Sequence, residues 1–151
     1  MSDRHLLVGI GSPHGDDQVG WLVVRHVAQR SGKRLVTRCV QTPVELLALL
    51  DSRRVERLDL CDAVQCAAPT GTLFCWTWPE GQIAREQFSG SHDLSLSAVL
   101  ELAEALGRLP PEVRVWGVAV DAMRSFAGVT PAVQAAVAEV SDRMLGVGHN
   151  A

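Results

Sequence analysis

Three largely apolar runs, the second interrupted by Asp59 and Asp62, constrain this chain more than any other feature. Residues 6–10 (Leu-Leu-Val-Gly-Ile), 58–64 (Leu-Asp-Leu-Cys-Asp-Ala-Val) and 113–120 (Val-Arg-Val-Trp-Gly-Val-Ala-Val) are strand-length, and they lack the strict apolar–polar alternation of a half-exposed strand. A strand with apolar side chains on both faces has to be covered on both faces, which a parallel sheet flanked by helices provides. Between these runs the periodicity becomes helical. From Gln18 to about Gln29, Val19, Leu22, Val23, His26 and Val27 share one helical face. Pro43 to Leu50 reads as a short helix with proline in its first turn, and Asp93 to Leu106 as a long one stopped by Gly107. Thr130 then reads as an N-cap before Pro131, opening a helix to about Leu145.

Two further strands complete the pattern. Leu35 to Val40 is one. Thr72 to Trp78 is β-branched and aromatic, and it follows the third strand after only the Pro69-Thr70-Gly71 turn, so an antiparallel neighbour fits there. Pro79 to Ser91 is less regular. The expected fold class is α/β: a three-layer α/β/α sandwich of about five mostly parallel strands with helices on both faces. Residues 1–151 form one domain, with 146–151 expected to be a frayed tail.

Composition narrows the function classes. Hydrophobic residues make up 47% and net charge is only −3, which excludes disorder as the main state. With 14 Lys plus Arg against 17 Asp plus Glu, there is no basic excess for nucleic acid. Aromatics are 5% and tyrosine is absent, so the core must be aliphatic. No apolar run approaches the roughly 18 residues that cross a bilayer, and the N-terminus carries no signal-peptide pattern. A cytoplasmic monomer without membrane contact is expected. Cys39, Cys61, Cys66 and Cys75 have no C-x-x-C spacing. Three of them fall in strand-like runs and read as small buried hydrophobes; Cys66 falls in a loop.

In an open α/β sheet, ligands bind beyond the carboxyl ends of the strands, and three polar clusters fall at such places. Gly11-Ser12-Pro13-His14-Gly15-Asp16-Asp17 leaves the first strand and enters a helix. It lacks the spacing of a nucleotide-binding glycine loop, and its paired carboxylates repel an anion at a helix N-terminus. One of them can cap the helix while the other faces the cleft and binds a cation; His14 is a possible extra ligand. The second cluster is in the third strand. Asp62 lies late in a buried run, where a carboxylate must be paired, hydrogen-bonded or ligating, whereas Asp59, nearer the start, reads as structural. The third is Ser91-His92-Asp93, before the long helix. Asp17, Asp62 and His92 together offer carboxylate oxygens and an imidazole, a set suited to a divalent transition ion with open coordination positions.

The ordered motifs Gly9-Ile10-Gly11-Ser12-Pro13-His14-Gly15-Asp16-Asp17-Gln18-Val19-Gly20, Asp62-Ala63 and Ser91-His92-Asp93-Leu94-Ser95-Leu96 resemble those of the nickel–iron hydrogenase maturation endopeptidases. Smaller echoes include Gln41-Thr42-Pro43-Val44-Glu45-Leu46 and Gly128-Val129-Thr130-Pro131. The chain departs from the family at Ser12, where asparagine is usual, at Gln18, which replaces a glycine, and at His14. The loop before Asp16 is also one residue shorter. The resemblance implies an endopeptidase that trims the C-terminal extension of a hydrogenase large-subunit precursor after nickel insertion. Asp17, Asp62 and His92 would be both the metal-binding and the catalytic residues, the nickel that of the precursor, and Asp16 a neighbouring acid. The competing expectation is a non-proteolytic docking protein or chaperone for the large subunit. A serine hydrolase has little support, because neither Ser12 nor Ser91 sits in a G-x-S-x-G elbow.

Overall fold

The computed structural model describes residues 5–32, 35–51, 54–89, 94–121 and 128–146. Six strands form one sheet: β1 (His5–Ile10), β2 (Val36–Val40), β3 (Arg57–Gln65), β4 (Leu73–Thr77), β5 (Gln87–Phe88) and β6 (Glu112–Val120). Its order is β2-β1-β3-β6-β4. The first four are mutually parallel, while β4 pairs antiparallel with β6 at one margin. Helices α1 (Val19–Ser31), α2 (Leu46–Asp51), α3 (Gln82–Arg85), α4 (Leu96–Ala105) and α5 (Pro131–Leu145) alternate with the strands. This is the expected helix-covered, mostly parallel sheet.

The continuous apolar runs become central strands because alternate residues feed two separate cores. Leu6, Val8, Leu58, Leu60, Val113 and Val115 pack on one face against α2 and α4. On the other face, Leu7, Cys61, Ala63 and Val118 meet Val19, Val23 and Val27 of α1 and Val133, Val137 and Val140 of α5. The closest approach between layers involves two glycines. A Cβ on Gly9 would lie 2.2 Å from the carbonyl oxygen of Gly20, and one on Gly20 would lie 2.4 Å from Ile10 O and 2.5 Å from Cys61 O. Only glycine lets the first turn of α1 rest on the backbones of β1 and β3.

Local chemistry explains the helix ends. Thr42 and Glu45 form a capping box around Pro43, with Glu45 Oε2 accepting from the amides of Gln41 at 2.9 Å and Thr42 at 3.0 Å. Gly107 follows α4 at φ +71°, and Gly146 closes α5 at φ +69°.

Several details differ from the sequence-based expectation. β4 is antiparallel, but its partner is β6 rather than β3, because β6 occupies the position beside β3 along its whole length. The stretch read as irregular contains α3 and the short β5. β5 pairs antiparallel with Val64 and Gln65, past the point where β1 ends its pairing at Cys61, so it takes the place of a longer β1. The N-cap of α4 is Ser95, whose side chain accepts from Ala98 N, so the helix starts at Leu96 rather than Asp93. Cys61 is buried as expected, but Cys39 and Cys75 are exposed because β2 and β4 are the edge strands. Cys66 is half-buried. His26 and Leu22 lie at the margin of the buried face of α1, whose centre is Val19, Gly20, Val23, Val24 and Val27.

Candidate active site at the carboxyl edge of the sheet

The loop from β1 to α1 is a compact turn held by backbone bonds. Gly11 N donates to Val40 O at 3.0 Å, Ser12 N to Asp17 O at 3.2 Å and Asp17 N to His14 O at 3.0 Å. Gly15 adopts φ +51°, and a Cβ on Gly11 would stand 2.6 Å from Asp17 O. Trp21 closes the outer side, its indole N–H donating to Val40 O at 2.9 Å. The turn Gly15–Gln18 is a short 3-10 helix that packs against β3.

The two acids of this turn have different roles. Asp16 is buried (3% exposed) and reaches across the fold, Oδ1 accepting from Thr130 N at 2.7 Å and Oδ2 from Thr130 Oγ1 at 2.9 Å. It does not cap its own helix; instead it grips the N-cap residue of α5, and Thr130 spends its hydroxyl on Asp16 instead of on the α5 backbone. Asp17 stays within the loop. Its Oδ2 accepts from Ser12 Oγ at 2.5 Å, while Oδ1 is buried and has no hydrogen-bond partner among the described residues. A carboxylate oxygen buried in this way carries a desolvation cost that a cation or donor would offset. His14 is exposed.

Asp62 is the sixth residue of β3 and only 1% exposed. It shares the sheet face of Leu60 and Val64, and its Oδ1 accepts from Ala63 N at 2.8 Å. Because α1 rests on Cys61 O through Gly20, the Asp17 turn and Asp62 come to the same edge of β3. The chain returns to that edge through β5, where Ser89 N donates to Ala63 O at 2.9 Å. His92 and Asp93 lie outside the described residues. Among the described residues no three His, Cys, Asp or Glu side chains are grouped as a metal site. Two clefts of about 400 Å³ and 410 Å³ share Gln65 at this end. The first is lined by Phe88, Ser89 and Ser95, the second by Cys66, Thr70 and Asp121. Cys61 is no nucleophile for this edge: burial, then the charges of Asp62 and Asp59, push its thiol pKa far upward.

Asp59 belongs to the opposite end of β3 and has the structural role expected of it. Fully buried, it accepts from Trp116 Nε1 at 2.8 Å and Arg114 Nε at 3.1 Å, lies 2.6 Å from His5 Nε2 and pairs with Arg57 at 3.3 Å.

The sequence did not reveal two of these relationships. The Asp16–Thr130 grip joins residues 114 apart, and no local pattern announces it. In the sequence Ser12 stands out as a departure from a motif and as a poorly supported nucleophile; its spacing to Asp17 in a glycine-rich turn is the available signal for a positioning role.

No protein-family model and no curated protein matches the chain. Solved structures do. The hydrogenase maturating endopeptidase HybD from E. coli superposes with a TM-score of 0.75 at 21% identity, covering 95% of this chain and 90% of that one. A hydrogenase 2 maturation peptidase from a Thaumarchaeota archaeon gives 0.68 at 25% identity, covering 95% and 96%. The [NiFe] hydrogenase maturation protease HybD from Thermococcus kodakarensis gives 0.71 at 18% identity, covering 95% and 97%. From β1 to α5, this chain has the fold of the hydrogenase maturation endopeptidases.

Proposed function

We propose that the protein is an endopeptidase that removes the C-terminal extension of a nickel–iron hydrogenase large-subunit precursor once nickel has been inserted. Asp17, Asp62 and His92 meet the nickel of the precursor, which belongs to the substrate. The observation that carries this reading is Asp17 Oδ1, a buried carboxylate oxygen with no partner among the described residues, at the sheet edge that also holds Asp62. The shared fold supports it over 95% of the chain.

Carboxylate oxygens and imidazole nitrogen are suitable donors for a divalent transition ion. Precursor without nickel lacks the atom these side chains bind, so the site discriminates by a missing contact. In the hydrolysis, water adds to the scissile carbonyl carbon, the C–N bond breaks, and the proton lost from water ends on the released amine. In this reading Asp17 or Asp62 accepts that proton in transit. No helix among the described residues is long and apolar enough to cross a membrane.

The test is the mass of the precursor after incubation with the protein, in nickel-loaded and nickel-free form. Loss of a short C-terminal peptide from the loaded form alone is the expected result. An unchanged mass in both forms sinks the protease reading and leaves a docking protein in its place. His92→Ala is expected to abolish cleavage with little change in melting temperature; a large fall in melting temperature makes His92 structural instead.

A further inference from the structure

We propose that Ser12 is a positioning residue that orients Asp17 toward nickel; the inference rests on the functional reading above. Four bonds fix the pair. Ser12 N–H donates to Asp17 O at 3.2 Å and Asp17 N–H to His14 O at 3.0 Å, so the backbones of the two residues cannot slide past each other. The amide of His14 donates to Ser12 Oγ at 3.4 Å. An amide can only donate, so the hydroxyl accepts there and directs its single proton to Asp17 Oδ2, 2.5 Å away.

With Oδ2 held, the carboxylate of Asp17 has lost its rotation and Oδ1 is fixed in the interior, buried and without a partner among the described residues. Gly11 adds to the confinement, since a Cβ there would stand 2.6 Å from Asp17 O. Were the hydroxyl absent, the carboxylate could turn Oδ1 out of its buried position and satisfy it with water. Ser12 therefore keeps one oxygen of Asp17 ready for a cation at the cost of leaving it unsatisfied in the free protein. Among the described residues no histidine side chain bonds Ser12 Oγ, so the hydroxyl has an orienting partner and no base of the serine-hydrolase kind.

The experiment compares the full chain with Ser12→Thr, which keeps the hydroxyl, and Ser12→Val, which has the same shape without it. Nickel chloride is titrated into each by calorimetry, melting temperatures are recorded, and cleavage of nickel-loaded precursor is followed in parallel. Removing a hydrogen-bond partner of a metal-binding side chain typically weakens metal affinity about 10- to 100-fold. Ser12→Val is expected to show a loss in that range with a melting temperature close to that of Ser12→Thr, and Ser12→Thr to bind nearly as the wild type does. Ser12→Ala provides a second hydroxyl-free variant should valine fail to fold. Equal nickel affinity for the hydroxyl and hydroxyl-free variants overturns the inference; if the wild-type chain takes up no free nickel, the comparison is read from cleavage of nickel-loaded precursor, where equal rates for Ser12→Thr and Ser12→Val overturn it. Loss of cleavage with unchanged nickel affinity also overturns it, because Ser12 would then act on the peptide directly. Cleavage of loaded precursor by the wild type is scored separately and decides the functional reading whatever the fate of Ser12.

Discussion

Asp16 holds Thr130 with both carboxylate oxygens, at 2.7 Å to the amide and 2.9 Å to the hydroxyl, and so ties the loop after β1 to the start of α5. The adjacent acid, Asp17, keeps one oxygen without a partner among the described residues. Two neighbouring carboxylates thus divide the work: one fixes the loop and the other is presented by it. Hydrogen bonds to a charged group contribute roughly 1.5–3 kcal/mol each, and here the carboxylate is almost fully buried. Asp16→Ala is expected to lower unfolding free energy by about 3 kcal/mol, measured by urea denaturation. A loss below about 1 kcal/mol would mean that the grip is not what holds the loop.

Gly20 sets the height at which the Asp17 turn sits. A Cβ there meets Ile10 O at 2.4 Å and Cys61 O at 2.5 Å, both rigid backbone atoms of central strands. Gly20→Ala must lift α1, at a cost of about 1–3 kcal/mol for overpacking. Because Asp17 precedes that turn, nickel affinity should fall together with melting temperature. Unchanged melting behaviour would show that the layers separate more easily than this packing implies.

β3 carries two buried aspartates with opposite assignments. Asp59 anchors His5, Arg114 and Trp116 at the amino end of the sheet, and Asp62 stands at the candidate site. Removing one partner of a buried ion pair costs about 3–5 kcal/mol, with the lower figure fitting arginines that are a quarter to a third exposed. Asp59→Ala is expected to destabilise strongly while the folded fraction still processes precursor. Asp62→Asn is expected to abolish processing with a much smaller loss of stability. Chemical denaturation and the precursor-mass assay on both variants check the contrast, and an interchange of the two phenotypes refutes the assignment.

The thiols give a pH signature. Partial burial, followed by the charges of Asp59 and Glu80, raises Cys75 to about 11; burial also raises Cys39 and, most strongly, Cys61. At pH 8 the thiolate fraction of Cys75 is about a hundredfold below that of an ordinary thiol, so alkylation by iodoacetamide should be slowed in proportion despite its edge strand. Folded thiol pKa values above those of the unfolded chain stabilise the fold below about pH 9, and this contribution is lost as pH rises toward the folded values. Urea midpoints should therefore fall between pH 8 and pH 10. Rapid labelling of Cys75 at pH 8 in the native protein contradicts this environment.

The central strands were legible in the sequence because burial on both faces leaves a local mark: residues 6–10, 58–64 and 113–120 are apolar without alternation. The helices between them showed the same locality in their capping residues, Pro43, Gly107 and Pro131 among them. Sheet order had no such mark. That β4 joins β6, and that β5 fills the space beyond β1, depends on which strands lie next to each other once the helices have packed. The exposure of Cys39 and Cys75 follows from that order.

The site divides along the same line. Sequence alone marked Asp62, since a carboxylate late in a buried strand must have a partner, and it marked the Asp16–Asp17 pair as acids at a helix start. It could not say which of the two was committed to the fold. Thr130 decides that from the far end of the chain, by supplying two donors that satisfy Asp16, while Ser12 satisfies only half of Asp17. Hydrogen bonding between residues distant in sequence is settled only when the layers close, and here that closure separates the acid committed to the fold from the one that keeps an unpartnered oxygen among the described residues.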